Sequence, residues 1–387
     1  MRVLMVSDVY FPRINGVSTA IQTYREVLAR HGIDVSLVAP DYGNGCGETW
    51  VSRVAARRVP RDPEDRLMHW RAMRSSVDAA LARGCDLIHV QTPFLAHYAG
   101  HAAARRAGLP VVATYHTLFE EYLQHYAPFV PASCLRYMAR RFSRAQCNAL
   151  NAVIVPSQAI HRRLSDYGVT TPLHILPTGI PVRRFSGSDG AAFRFRHGID
   201  PARPVALYVG RVAHEKNIGF LLDVVDLARE SLAELLLLIV GEGPALADLR
   251  SAVAARGLSG NVQFLGYLDR QHELPACYAA ADIFTFASRT ETQGLVLLEA
   301  MAAGLPVVAL AAMGTVDILG ARRGASVPDD NPVAFALAVV ATLRDKDLLR
   351  RLAREGRDYA SEWSDDALAG RMADLYRQLQ QLPRRVS

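Results

Sequence analysis

Two glutamates raise the question of what this chain does. Glu291 and Glu299 stand eight residues apart in Ser288–Ala309, SRTETQGLVLLEAMAAGLPVVA, and the second is embedded among Leu, Ala and Met. Burying an unpaired carboxylate is costly, so such a residue either sits at a helix edge or faces a group that compensates it. Gly294 to Ala303 reads as a helix, so Thr292, Gln293, Gly294 and Leu295 offer first-turn amides that lack intrahelical partners. Glu291 precedes that turn, and Glu299 follows about two helical turns later on a nearby face. A carboxylate accepts two hydrogen bonds at once, which suits each glutamate to a vicinal diol.

A second constellation lies in LYVGRVAHEKNIGFLLDV, where a strand ending at Gly210 is followed by Arg211, His214 and Lys216 just before a helix beginning near Asn217. A planar guanidinium binds two oxygens, an ammonium adds a point charge, and the helix dipole reinforces both, so the loop is equipped to clamp a diphosphate. Lys216 stands out because only it and Lys346 are Lys among 44 basic residues. Taken alone, the motif reads more readily as a solvated Arg and Lys on a loop. Gly16, in SDVYFPRINGVSTA, falls in a loop before a helix expected to start at Ser18 or Thr19, where exposed amides suit an anion. A single Gly is no dinucleotide fingerprint, and a plain turn explains it as well. His116 follows the strand PVVATY at its carboxyl end; a core or capping His is the alternative reading.

The elements that must position these residues follow from periodicity. RVLMVS, DVSLVA, DLIHVQ, PVVATYH, AVIVPS and LHILP alternate with helical patterns, and PVALYVG, LLLLIVG, NVQFLGY, DIFTFAS and LPVVAL form a second series. Strands at helix-length intervals predict a parallel sheet, and two series predict two doubly wound α/β domains. Pro177–Gly190, rich in Pro, Gly and Ser, reads as the linker. After Val327 the chain reads as mainly helical to Gln381. A ligand is expected between the domains, at the carboxyl ends of the strands.

Composition narrows the classes. With 387 residues, half of them hydrophobic, the chain can fill two cores of ordinary size. Cys46, Cys85, Cys134, Cys147 and Cys277 are scattered without the paired spacing of a zinc site or disulfide framework, so they read as reduced and structural. No run of about 18 apolar residues occurs, and MRVLMVSDVYFP reaches Ser7 and Asp8 too early for a signal-peptide core, which predicts a cytoplasmic protein. Residues 1–180 carry 20 Arg against 13 acidic residues, whereas 181–387 carry 24 basic and 25 acidic. That asymmetry favours an anionic partner for the first half, a membrane surface or nucleic acid. An Arg-rich surface serving solubility alone is the plain alternative.

Together these residues resemble the retaining nucleotide-sugar glycosyltransferases of family 4, with the GT-B fold of two facing Rossmann-like domains. The resemblance spans nearly the whole chain and rests on the two glutamates in ETQGLVLLEAMAAGLPVV, on GRVAHEKN, on VGEGP at Val240–Pro244 and on TYHT at Thr114–Thr117. It implies an N-terminal acceptor-binding domain at residues 1–180, to which C-terminal helices return at about 365–387. A nucleotide-sugar-binding domain is implied at 190–364. By that resemblance Glu299 binds the ribose hydroxyls, Glu291 with the amides of Gln293, Gly294 and Leu295 holds the transferred sugar, and Arg211 with Lys216 grips the diphosphate. The nucleobase lies against loops around Gly241 and around Tyr267 and Leu268, and Gly16 approaches the diphosphate. Many relatives have two glycines where this chain has NGVS, which weakens the assignment of Gly16. His116 contacts the sugar and the reacting centre. No metal and no cofactor are implied. The expected mechanism is front-face attack by the acceptor, with the departing diphosphate accepting its proton.

The acceptor is read from TYHTLFEEYLQHYAPFVPASCLRYMARRFSRAQCNALN, which resembles lipid-acceptor members such as diacylglycerol glucosyltransferases. From Ala132 to Asn148 it predicts a basic amphipathic helix carrying Arg136, Arg140, Arg141 and Arg144, suited to an anionic membrane surface. An ordinary domain helix with solvated Arg is the alternative. The expected reaction moves a hexose, glucose from UDP-glucose by preference, to a membrane lipid at the inner face of the cell membrane. A mannosyl- or other hexosyltransferase with a soluble or polysaccharide-precursor acceptor is the runner-up, and a nucleotide-sugar epimerase or a non-catalytic binding module ranks below it. No aromatic-basic motif accompanies the charge, so nucleic acid is not expected as a partner.

Overall fold

The computed structural model describes residues 1–13, 15–43, 48–59, 62–116 and 132–381. Cys46 and Thr117, named above, lie outside these. The chain divides into two compact units, Met1–Gly179 with Asp365–Ser387, and Ile180–Ser364.

The first unit holds β1 (Arg2–Val6), β2 (Asp34–Pro40), β3 (Val51–Val54), β4 (Ala56–Val59), β5 (Asp62–Met68), β6 (Leu87–Val90), β7 (Val111–Thr114), β8 (Ala152–Val155) and β9 (Leu173–Ile175). Among the described residues, seven of these form a parallel sheet in the order β3-β2-β1-β6-β7-β8-β9, while β4 and β5 pair as a separate antiparallel ribbon. β1, β6 and β8 are almost wholly buried apolar runs, as a sheet covered on both faces requires. The strand order reverses between β1 and β6, so the chain leaves these two strands in opposite directions and opens a crevice at their carboxyl ends.

One face of that sheet is closed by the far end of the sequence. The helix Asp365–Gln380 buries Leu368, Ala369, Met372, Ala373, Leu375, Tyr376 and Leu379, an apolar stripe at three- and four-residue spacing. It shares a core with Val3, Met5, Ile21, Tyr24, Leu28, Val35 and Leu37. The C-terminal return is thus carried by this helix, whereas Lys346–Ser361 belongs to the second unit.

The second unit repeats the plan with β10 (Val205–Val209), β11 (Leu236–Val240), β12 (Val262–Gly266), β13 (Ile283–Phe286), β14 (Val307–Ala309) and β15 (Ala325–Ser326). They form a parallel sheet in the order β12-β11-β10-β13-β14-β15, reversing between β10 and β13. The Pro- and Gly-rich segment read as a linker is largely built into this unit. Ile180 and Phe185 are buried in its core, Ile180 N–H donates to the Trp363 carbonyl at 3.0 Å, and Gly190 already opens the helix Gly190–Arg196. Two apolar side chains among the prolines outweigh the turn-forming composition around them.

Candidate functional site

In the second unit the chemistry gathers where β10 and β13 diverge. After β10 the chain turns through His214–Lys216 and enters the helix Ile218–Ala228; after β13 it carries Glu291 and enters the helix Leu295–Ala303. Lys216 Nζ lies 2.5 Å from Glu291 Oε1, with both side chains about four-fifths buried. Asn217 Nδ2 donates to the Ala287 carbonyl at 3.1 Å and Thr290 Oγ1 to the Glu215 carbonyl at 3.3 Å, so the two loops are laced together. Arg211 stands 3.7 Å from Glu215, and the buried Tyr208 hydroxyl donates to the Arg211 carbonyl at 3.1 Å. Burial and the charges of Glu291 and Glu215 hold that phenol well above its ordinary range.

Gly294 is the N-cap of the second helix at φ 91°, a left-handed conformation that favours glycine, and a Cβ there would also crowd Thr315. The turn thereby presents the backbone of Gln293, Gly294 and Leu295 at a helix N-terminus with no side-chain cap bond. Gln293 itself is buried. Gly241, after β11, has a different reason: at φ 131° its Cβ would sit 2.0 Å from the Gly210 carbonyl oxygen, so the turns after β10 and β11 abut only because the side chain is missing. Tyr267 is about half exposed, whereas Leu268 packs into the core.

Glu299 is the residue for which sequence reasoning missed the partners. Its side chain is 3% exposed; Oε1 receives Arg270 Nη2 at 2.5 Å and Oε2 receives the Tyr278 hydroxyl at 3.0 Å. The charge in the apolar helix is therefore compensated from within the protein. Arg270 in turn is pushed further up by the Glu299 carboxylate, and Tyr278 is pushed well up by burial and then by the same charge. Arg270 lies 29 residues upstream in a loop and Tyr278 in the helix Glu273–Ala280, so neither falls within a helical turn of Glu299. An Arg in DRQHEL after a strand was the available signal.

In the first unit the polar groups also collect at the strand-order reversal. Asp8, just beyond β1, accepts from Thr92 Oγ1 at 2.7 Å and from Ala96 N–H at 3.2 Å, capping a helix Leu95–Ala107 that has no cap from its own preceding residue. Burial raises its carboxyl to about 6 against the opposing pull of those hydrogen bonds. His116, just beyond β7, donates from Nε2 to Gln91 Oε1 at 2.9 Å and is pushed down to about 4 by burial, so its ring is neutral near pH 7. Two residues back on the same strands, His89 bonds Thr114 Oγ1 at 2.7 Å and the Tyr376 hydroxyl of the C-terminal helix at 2.6 Å. Gly16 is not a loop residue. It opens the helix Gly16–Leu28, because Asn15 Oδ1 accepts from Ser18 N–H at 2.8 Å and caps the helix earlier than expected. A Cβ at Gly16 would meet nothing within 4 Å, so packing does not explain this glycine.

The basic helix spans Ala132–Asn148. Leu135, Ala139, Ser143, Gln146 and Cys147 face inward, and Arg136, Arg140, Arg141 and Arg144 are exposed together with Tyr137 and Met138. The Arg140 guanidinium lies 5.3 Å over the Tyr167 ring. No described helix is long and apolar enough to cross a membrane.

Comparison with known proteins identifies the family. The profile of glycosyl transferases group 1 matches residues 189–359, and that of Glycosyltransferase Family 4 matches residues 14–184. The chain is 32% identical to an alpha-monoglucosyldiacylglycerol synthase of Streptococcus pneumoniae over 80% of its own length and 71% of that protein. It is 30% identical to a GDP-mannose-dependent alpha-mannosyltransferase of Mycobacterium tuberculosis, covering 84% of this chain and 82% of the relative. The sucrose-phosphate synthase structure from Thermosynechococcus elongatus superposes with a TM-score of 0.80 at 22% identity, covering 98% of both chains. The chain therefore belongs to glycosyltransferase family 4 and is a hexosyltransferase of the GT-B fold.

Proposed function

We propose that this enzyme transfers glucose from UDP-glucose to the hydroxyl of a membrane lipid, diacylglycerol, with retention, giving an α-glycoside at the inner face of the cell membrane. The observation that carries the lipid acceptor is the helix Ala132–Asn148, whose exposed face combines four Arg with Tyr137 and Met138. Its similarity to a monoglucosyldiacylglycerol synthase supports the same acceptor and sugar. Four Arg near an anionic surface are worth about 1 kcal/mol each, and the two large side chains supply an apolar anchor.

In this reading the diphosphate competes with Glu291 for Lys216, and the released carboxylate turns to hydroxyls of the transferred sugar beside the amides at Gln293, Gly294 and Leu295. Arg211 completes the clamp. Glu299 holds the ribose, with Gly241, Tyr267 and Leu268 beside the base and Gly16 near the diphosphate. The acceptor hydroxyl attacks the anomeric carbon from the face the leaving group departs, and the leaving diphosphate oxygen takes its proton while the cations stabilise the charge that develops there. His116 acts at the reacting centre.

Mass spectrometry of products from a panel of nucleotide sugars incubated with membrane lipids tests donor and acceptor together. A glucosylated diacylglycerol formed from UDP-glucose is expected. The similarity to a GDP-mannose-dependent enzyme favours a mannosyl product as the second reading. Replacing Arg136, Arg140, Arg141 and Arg144 with Gln should cut co-sedimentation with anionic liposomes, as should salt, since screening acts within about 8 Å at physiological ionic strength. Undiminished binding by that variant would make a soluble acceptor the better reading.

A further inference from the structure

We infer that Gln91 is a positioning residue that decides which ring nitrogen of His116 carries the proton. The inference rests on the reading of His116 as a catalytic residue. Gln91 and His89 stand two apart on and just beyond β6, and their partners His116 and Thr114 stand two apart on and just beyond β7, so two polar rungs cross from one strand exit to the next. The lower rung is fixed at its other side by Tyr376.

The direction of the upper rung follows from how the amide is turned. Gln91 is 1% exposed and directs Oε1, an acceptor, at the imidazole nitrogen 2.9 Å away, which assigns the hydrogen to that nitrogen. A neutral imidazole has one N–H, which leaves the lone pair on Nδ1. His116 is thereby set as a hydrogen-bond acceptor through Nδ1, and the opposite tautomer would confront Gln91 Oε1 with a second lone pair.

The rest of the amide has room to be met. Gln91 lines a cavity of about 30 Å³ together with Thr92, His97, Gln146 and Cys147, large enough for one water to accept from Nε2, so the amide can hold its carbonyl toward His116 without leaving its NH₂ group unpaired.

The test combines ¹⁵N NMR of His116 with steady-state kinetics, using UDP-glucose and mixed vesicles of diacylglycerol and anionic phospholipid, or whichever pair the product screen identifies. In the wild type the ring should show one tautomer, protonated at Nε2. Gln91→Leu should mix the tautomers and lower kcat by about 10–100-fold, the loss expected when a reacting group is misplaced, with the KM for donor within about twofold. Gln91→Glu retains an acceptor and should recover the Nε2–H tautomer and most of kcat. A wild-type ring protonated at Nδ1, or a folded Gln91→Leu enzyme with unchanged kcat, overturns the inference. If Gln91→Leu does not fold, the wild-type spectrum and Gln91→Glu still decide. His116→Ala separates the two levels: full transfer by that variant would remove His116 from catalysis, whatever the tautomer proves to be.

Discussion

The two units solve one problem with opposite electrostatics. In each, a parallel sheet reverses its strand order and polar side chains bridge the divergence, β1 from β6 in the first unit and β10 from β13 in the second. The first unit bridges it with Asp8–Thr92 and joins the next two strand exits, β6 and β7, with Gln91–His116; Asp8 and His116 are bonded to uncharged neighbours and pushed toward their neutral forms by burial. The second bridges it with Lys216–Glu291 and places Arg270–Glu299 nearby, full charges that answer one another. A compensated charge pair can admit a doubly charged ligand by exchanging partners, whereas a neutral hydrogen-bonded site cannot be opened by charge. The comparison teaches that paired full charges gather at the strand divergence of the second unit, and groups sensitive to acid in the first.

The largest expected effect tests the first half of that statement. Lys216→Ala should lower turnover by about 10²–10³-fold, the usual loss for one contact to a developing anion, and lower stability by about 1–2 kcal/mol, between the values for exposed and fully buried pairs, since both side chains keep about a fifth of their surface in solvent. Kinetics beside thermal melts check it, and unchanged turnover in a folded variant would remove the clamp. Next comes Glu299→Leu. Removing one partner of a buried pair strands the other, at about 3 kcal/mol after allowance for the partly exposed Arg270. Adding Arg270→Met should restore much of the urea midpoint while nucleotide-sugar affinity by calorimetry stays weak. Recovery of both would make Glu299 a structural residue alone.

Acid then separates the units. His89, His97 and His116 are lowered by burial to about 3, 4 and 4. The unfolded chain, with ordinary histidines, binds more protons below about pH 6.5. The first unit should hold full stability above that value and lose it progressively as pH falls toward 4. Asp8 works in the other direction, because its raised pKa makes it costly near pH 7 and that cost fades between pH 6 and 3.8, and Asp365 is raised by burial as well; with His101 and His174 also lowered by burial, five histidines outweigh two carboxyls. His197 of the second unit is shifted down as well. Trp363→Phe leaves Trp50 and Trp70 as reporters of the first unit alone, and their melting midpoint should fall faster with acid than calorimetric transitions of the remainder. The smallest effect is Tyr376→Phe, about 1 kcal/mol for a lost buried hydrogen bond, read as a lower midpoint from the same fluorescence.

Much of this architecture was legible in the sequence because buried parallel strands are uninterrupted apolar runs, as LLLIV in β11 and AVIV in β8 show. β4 and β5 escaped because ARRV and DPEDRLM lack both an apolar run and an alternating pattern; their pairing is a matter of backbone geometry. The site divides in the same way. Lys216 and Glu291 were visible as charges beside helix starts, but their 2.5 Å contact crosses 75 residues. Ile180 and Phe185 were hidden among turn-forming neighbours, whose composition says nothing about which two side chains a core will claim.

The return of the helix Asp365–Gln380 to the first unit has a consequence for how the protein is made. The second unit is one uninterrupted stretch and can complete its core as soon as Ser364 has emerged from the ribosome. The first cannot: nearly two hundred residues separate Leu176 from Ala369, which share its core, and at ribosomal rates of about 5–20 residues per second that gap lasts roughly ten seconds or more. During that interval the sheet bearing His116 lacks the side chains that cover its inner face, and His89 lacks Tyr376. The unit that begins first is therefore finished last, and a released chain ending before Asp365 would carry a complete second unit beside an uncovered apolar surface.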